Sequence, residues 1–164
     1  MASGDTLCIF TAHANEPPAS NYATCDLRNG IFVLDFDATT SESAIFKSIM
    51  PQNYSDATGV TVYVHYAASS ATSGTIGWTV EFERMGDGGT DIDADSFASA
   101  QTITAETVDA TSGIMDVANV AITKGANMDS VVAGDTFRIR ISRDVANDTA
   151  TGDAELIAIE IRET

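Results

Sequence analysis

A chain of 164 residues is enough for one ordinary domain, and 44% hydrophobic with 20% charged residues excludes wholesale disorder. Its 24 acidic and 8 basic side chains give a formal charge of −16, a field that repels phosphates and anionic lipid and argues against nucleic-acid and membrane partners. No apolar run approaches the ~20 residues that span a bilayer, and the opening MASGDTLCIF lacks the basic leader and long apolar stretch of a signal peptide, so export is not expected.

Thr6 to Thr11 reads as a short first strand, with Cys8 a buried, inert thiol. Cys8 and Cys25 have no CxxC spacing and no histidine cluster, so neither zinc nor a disulfide is indicated. The stretch at about 12–29 differs in kind. Pro17 and Pro18 fix φ and remove two backbone donors, so it should run extended, as a surface connection or as an arm laid on a neighbouring subunit. Arg28-Asn29-Gly30 then marks a turn before candidate strands at Ile31 to Phe36 and Ala44 to Ile49.

The clearest alternation follows. Val60, Val62, Val64 and Tyr66 share one face, opposite Thr61, Tyr63 and His65. In Thr75 to Met85, Ile76, Trp78, Val80 and Phe82 form an inward face opposite Thr79, Glu81 and Glu83. Candidate strands at Gln101 to Thr107 and Met115 to Thr123 lead to two further clear ones. Phe137, Ile139 and Ile141 alternate with Arg138, Arg140 and Ser142, and Ile157, Ile159 and Ile161 alternate with Ala158, Glu160 and Arg162. Single helical turns are expected near Asp95 to Ala100 and Ala126 to Val131, the latter capped by Asn127. The pattern is all-β: one domain over 1–164, a two-sheet antiparallel sandwich, jelly-roll-like, of about eight strands with very little helix.

Tests for chemistry fail one by one, and no enzyme is expected. Nucleophilic hydrolysis needs a histidine beside a serine or cysteine, yet His13 precedes the proline segment and His65 faces outward from a strand. Gly86-Asp87-Gly88-Gly89 lacks the lysine and helix of a phosphate loop. Asp91, Asp93 and Asp95 alternate as calcium ligands do, but Ser96 replaces the EF-hand glycine and Thr102 its glutamate. Calcium stays open as a cofactor only through a different kind of site, against the plainer reading of a solvated acidic loop. Glu81 and Glu83 opposite Arg138 and Arg140 read as cross-strand ion pairs rather than a catalytic carboxylate pair. Trp78 reads as core, and Tyr22, Tyr54, Tyr63 and Tyr66 are dispersed, so a sugar platform is neither excluded nor strongly suggested.

NEPPASNYAT (Asn15 to Thr24), LDFD (Leu34 to Asp37), DIDADSF (Asp91 to Phe97), AGDTFRIRISRD (Ala133 to Asp144) and the closing GDAELIAIEIRET together resemble small virion proteins of tailed bacteriophages. The resemblance implies a non-enzymatic capsid decoration or cement protein on the virion surface, assembled in the host cytoplasm. It implies a homotrimer clamping major capsid protein subunits, with Glu16, Pro17, Pro18, Asn21 and Tyr22 as the contact arm. The alternative it leaves open is a receptor- or carbohydrate-binding jelly-roll head or tail spike or fibre, with a glycan as partner.

Overall fold

Alternating side chains bury one face of each strand, and two such faces must cover each other. The computed structural model describes residues 2–164, which form ten strands in two antiparallel sheets. Sheet A holds β1 (Thr6–Thr11), β2 (Thr24–Arg28), β3 (Ile31–Phe36), β5 (Gly59–Ala68), β8 (Met115–Thr123) and β10 (Ala154–Glu163). Its order is β2-β3-β10-β5-β8, with β3 beside the first half of β10 and β1 beside the second. Sheet B holds β4 (Ser43–Ile49), β6 (Thr75–Met85), β7 (Gln101–Thr107) and β9 (Thr136–Arg143), in the order β4-β9-β6-β7.

The core between the sheets is aromatic at its centre. Trp78 of sheet B is fully buried, with Phe36 and Tyr66 of sheet A edge-on to it at 5.0 and 5.3 Å. Edge-to-face contact sets the positive ring rim against the negative face. On the outer face of sheet B, Glu81 and Glu83 pair with Arg140 and Arg138 across β6 and β9, as the cross-strand reading expected.

Nine strands coincide with the four alternating segments and the five candidate strands, and β2 is the addition. Thr24–Arg28 falls within the stretch expected to run as an extended arm. Both of its faces carry exposed residues, so its sequence has no alternation to read. It pairs with β3 through Asn29 and Gly30, both at positive φ (48° and 80°), the twist that a two-residue hairpin favours. The helical turn expected at 95–100 is absent, the chain there having no regular structure. Asn127 lies inside the second 3₁₀ turn (Ala126–Met128) instead of capping it, and its side-chain amide donates to Thr123 Oγ1 at 2.9 Å. Ile157 also departs from its expected inward position. A register shift between Leu156 and Ala158 marks a β-bulge, so Leu156, Ile159 and Ile161 fill the core while Ile157 is half-buried on the outer face.

One charged group sits where only hydrocarbon is expected. Arg143, at the end of β9, has no solvent exposure. Its guanidinium donates to Asp148 (2.7 Å) and to the carbonyls of Phe36 (2.9 Å), Ala150 (3.2 Å) and Gly152 (2.8 Å). Sheet B, the end of β3 in sheet A, and the β9–β10 loop thus meet on one side chain. Asp148, its side chain 2% exposed, has only this cation among the described residues to balance it, and removing one partner of a buried pair strands the other charge at a cost of about 3–5 kcal/mol. Asp148→Ala is therefore expected to lose about 3–5 kcal/mol in urea unfolding, whereas Glu81→Ala, in a solvent-facing pair, loses under about 1 kcal/mol. Equal losses would contradict this division.

Candidate functional site

After β1 the chain makes a 3₁₀ turn (Ala12–Ala14) and then runs along its own β4 without regular structure. Asn15 Oδ1 accepts from the Ile45 amide (3.0 Å), the Glu16 amide donates to Ile45 O (2.7 Å), and the Glu16 carboxylate meets Lys47 (2.9 Å). Further on, Ser43 donates to Asn21 O (2.8 Å) and Ala23 donates to Ser43 O (3.0 Å). The strap so formed leaves Glu16, Pro17, Asn21 and Tyr22 exposed and Pro18 half-buried.

Between the strap and the β2–β3 hairpin lies a groove of ≈ 260 Å³. It exists because the hairpin overhangs the smaller sheet. Cys25, Leu27 and Phe32 share the inward face of β2 and β3, yet Leu27 is 65% exposed. His13 partly covers the overhang, its ring stacked on Phe32 at a centroid distance of 3.9 Å. Pro17 and Tyr22 form the strap wall, with Asn15 and Thr24 among the polar lining. Asn15 spends its carbonyl oxygen on β4, which leaves its amide NH₂ to donate to a ligand. The groove thus combines ring surfaces with hydrogen-bonding groups, and it is open to solvent. Proline and tyrosine in this stretch were visible as candidates in the sequence. His13, Thr24 and Phe32 were not, because nothing local says that sheet B stops short of them.

A second cluster lies on the opposite face of the same hairpin. Asp26 of β2, Asp35 of β3 and Glu155 of β10 bring carboxylate oxygens within 4.8 Å of one another. Arg28 occupies Glu155 and also donates to the carbonyls of Ala68 and Ser69. Asp35 Oδ1 is buried without a hydrogen-bond partner. These three are the described residues that could hold a hard cation, although calcium asks for six to eight oxygens. The expected calcium candidates Asp91, Asp93 and Asp95 do not form such a cluster. All three are exposed, and the Asp91 carboxylate accepts from the Asp93 amide at 3.1 Å, as in an ordinary Asx turn. His13 and His65 are also apart in role: His65 Nε2 sits 4.0 Å from Glu160 on the outer face of sheet A, while His13 walls the groove. Cys8 is half-buried beside Ser48, and burial pushes its thiol pKa up.

No protein-family model and no curated protein matches the sequence. Among solved structures, the chain is similar to a family 35 carbohydrate-binding module from an environmental isolate. That match has TM-score 0.54 and 14% identity, over 94% of this chain and 92% of the other. It is also similar to the CBM22-1–GH10 modules of a Clostridium thermocellum endo-1,4-beta-D-xylanase complexed with xylohexaose (TM-score 0.52, 15% identity, 98% of this chain but 29% of that one). A third is the C-terminal CBM6 of LamC, a laminarinase from the marine Zobellia galactanivorans (TM-score 0.50, 14% identity, 95% and 98% covered). At such identities the likeness is one of fold: a jelly-roll β-sandwich.

Asp35 gives the cluster a pH signature. Burial first, then the charges of Glu155, Asp26 and Asp153, push its carboxyl up to about 6 from 3.8, against the pull of Arg28. Below pH 3.8 both folded and unfolded chains are protonated there and the site is neutral for stability. As pH rises toward 6 the folded chain must give up a proton it prefers to keep, so stability falls and the penalty is complete above that. Asp35→Asn is expected to raise the Tm by on the order of 4 °C at pH 8 and by nothing at pH 4. A gain independent of pH would mean that packing, not charge, limits the site.

Proposed function

We propose that this chain is a non-catalytic carbohydrate-binding module whose ligand lies in the groove between the strap and the β2–β3 hairpin. The observation that carries the reading is the exposed ring of Tyr22 facing the same groove as the His13–Phe32 stack. Sugar rings present C–H faces that pack on such rings, and hydroxyls that pair with groups like the Asn15 amide. A binding role asks nothing of the two histidines as bases. The likeness to structures containing carbohydrate-binding modules supports the same reading.

A capsid decoration role is the second reading. It rests on the resemblance to phage virion proteins and on the surface position of Glu16, Pro17, Pro18, Asn21 and Tyr22, held ready by β4. In that role the strap would meet major capsid protein as one of three copies. Co-sedimentation with assembled shells, lost on Asn21→Ala or Glu16→Ala, separates it from glycan binding.

The groove is shallow, so a dissociation constant on the order of 10⁻⁴ M is expected for a matched oligosaccharide. Calorimetry with xylohexaose, cellohexaose and laminarihexaose should find at least one binder. Tyr22→Ala should weaken it about tenfold, equivalent to about 1.4 kcal/mol. Absence of heat with all three, or undiminished binding by Tyr22→Ala, would remove the proposal.

A further inference from the structure

The outer face of sheet A carries an apolar surface that neither sheet packing nor the groove uses. Ile9 is 64% exposed, Ile31 55%, Met115 47% and Val117 42%. Large side chains so placed contribute nothing to the core and cost solubility. Two shallow depressions share Met115 and Ile157 and so form one trough. One is bounded by the β2–β3 hairpin, the other by β1. The β-bulge at Ile157 is what turns that side chain toward the trough, in a strand whose other isoleucines fill the core.

The charges around the trough have one sign left over. Glu155 is matched by Arg28, and Glu160 by Arg162 (2.7 Å), which itself lies over the Tyr63 ring at 4.3 Å. Asp26 and Asp35, at the hairpin end, have no basic partner of their own among the described residues, and the buried Asp35 Oδ1 lacks a donor. A second copy of this chain cannot supply one without setting two such faces, each part of a −16 chain, against each other. A basic side chain followed by apolar ones satisfies both halves of the surface. We infer that the outer face of sheet A docks a protein segment carrying apolar side chains and a lysine or arginine, the base entering between Asp26 and Asp35 and the apolar groups covering Met115, Ile157 and Ile9. This surface is distinct from the strap groove and does not rest on the glycan reading.

The probe is a fluorescently labelled peptide of alternating leucine and lysine, LKLKLKL, measured by anisotropy against the full chain at 150 mM salt, where unfocused attraction is screened beyond about 8 Å. The serine-lysine peptide SKSKSKS should bind at least tenfold more weakly, and the leucine-glutamate peptide LELELEL not at all. Asp26→Asn with Asp35→Asn should weaken LKLKLKL about tenfold, as should Ile9→Ser with Met115→Ser, while Tyr22→Ala leaves it unchanged. The replaced side chains are partly or largely exposed, and thermal melting checks that each variant is folded. Amide shifts of the wild-type chain on peptide addition give a second readout, expected on β1, β3, β8 and β10. Equal binding of SKSKSKS, or undiminished binding by either double variant, would reduce the attraction to net charge and overturn the inference. So would xylohexaose displacing the peptide from these strands, which would make the trough a sugar site.

Discussion

Both surfaces described above depend on how the β2–β3 hairpin is held, and its anchor is a guanidinium with no access to water. Arg143 reaches from the last residue of sheet B to the last carbonyl of β3, and to two carbonyls of the loop leading into β10. A buried charge is expensive, and it is tolerated here because three carbonyls and the Asp148 carboxylate replace its water. The Asp148 carboxylate in turn accepts from the Ala150 amide at 2.9 Å, which fixes the loop to the same centre. With the root of β3 tied to sheet B, the far end of the hairpin is free to project beyond it. That projection makes the groove on one side and the acidic cluster on the other.

How much of this was legible in the sequence divides along physical lines. Alternation is a local signal, so the strands it marks are present, with Trp78 in the core and Glu81 and Glu83 paired across to β9. Arg143 was not singled out in the sequence, although the phase of β9 points it inward. Positions 137, 139 and 141 face inward, and 143 continues that series, although a charged residue is ordinarily read as exposed. Ile157 failed for the opposite reason, because a bulge changes the phase mid-strand and nothing in an isoleucine repeat announces it. The second strand failed because an overhanging strand has no fully covered face to pattern.

The groove follows the same rule. Pro17 and Tyr22 stood out because prolines and tyrosines in a polar stretch are locally unusual. Phe32 did not, since its spacing with Leu34 and Phe36 reads simply as core, and only the unequal width of the two sheets exposes it. Asp91, Asp93 and Asp95 carry the residue types of a calcium loop, but they are not gathered into a cluster, in keeping with the plainer reading of a solvated acidic loop. The carboxylates that do gather, Asp26, Asp35 and Glu155, are distant in sequence and meet only through strand pairing. The strong acidity is likewise not uniform in consequence: most carboxylates are solvated or paired, and Asp35 is the one whose pKa the fold pushes up to about 6.

The central claim is that the strap and the hairpin together form a sugar-binding groove. The most direct measurement is a titration of the isotopically labelled chain with the oligosaccharide it binds, followed by amide and aromatic NMR shifts. The expected result is saturable shifts at His13, Asn15, Tyr22, Thr24 and Phe32, with β5 and β8 unmoved. Shifts confined to the outer face of sheet A, or none at any of the groove residues, would contradict it.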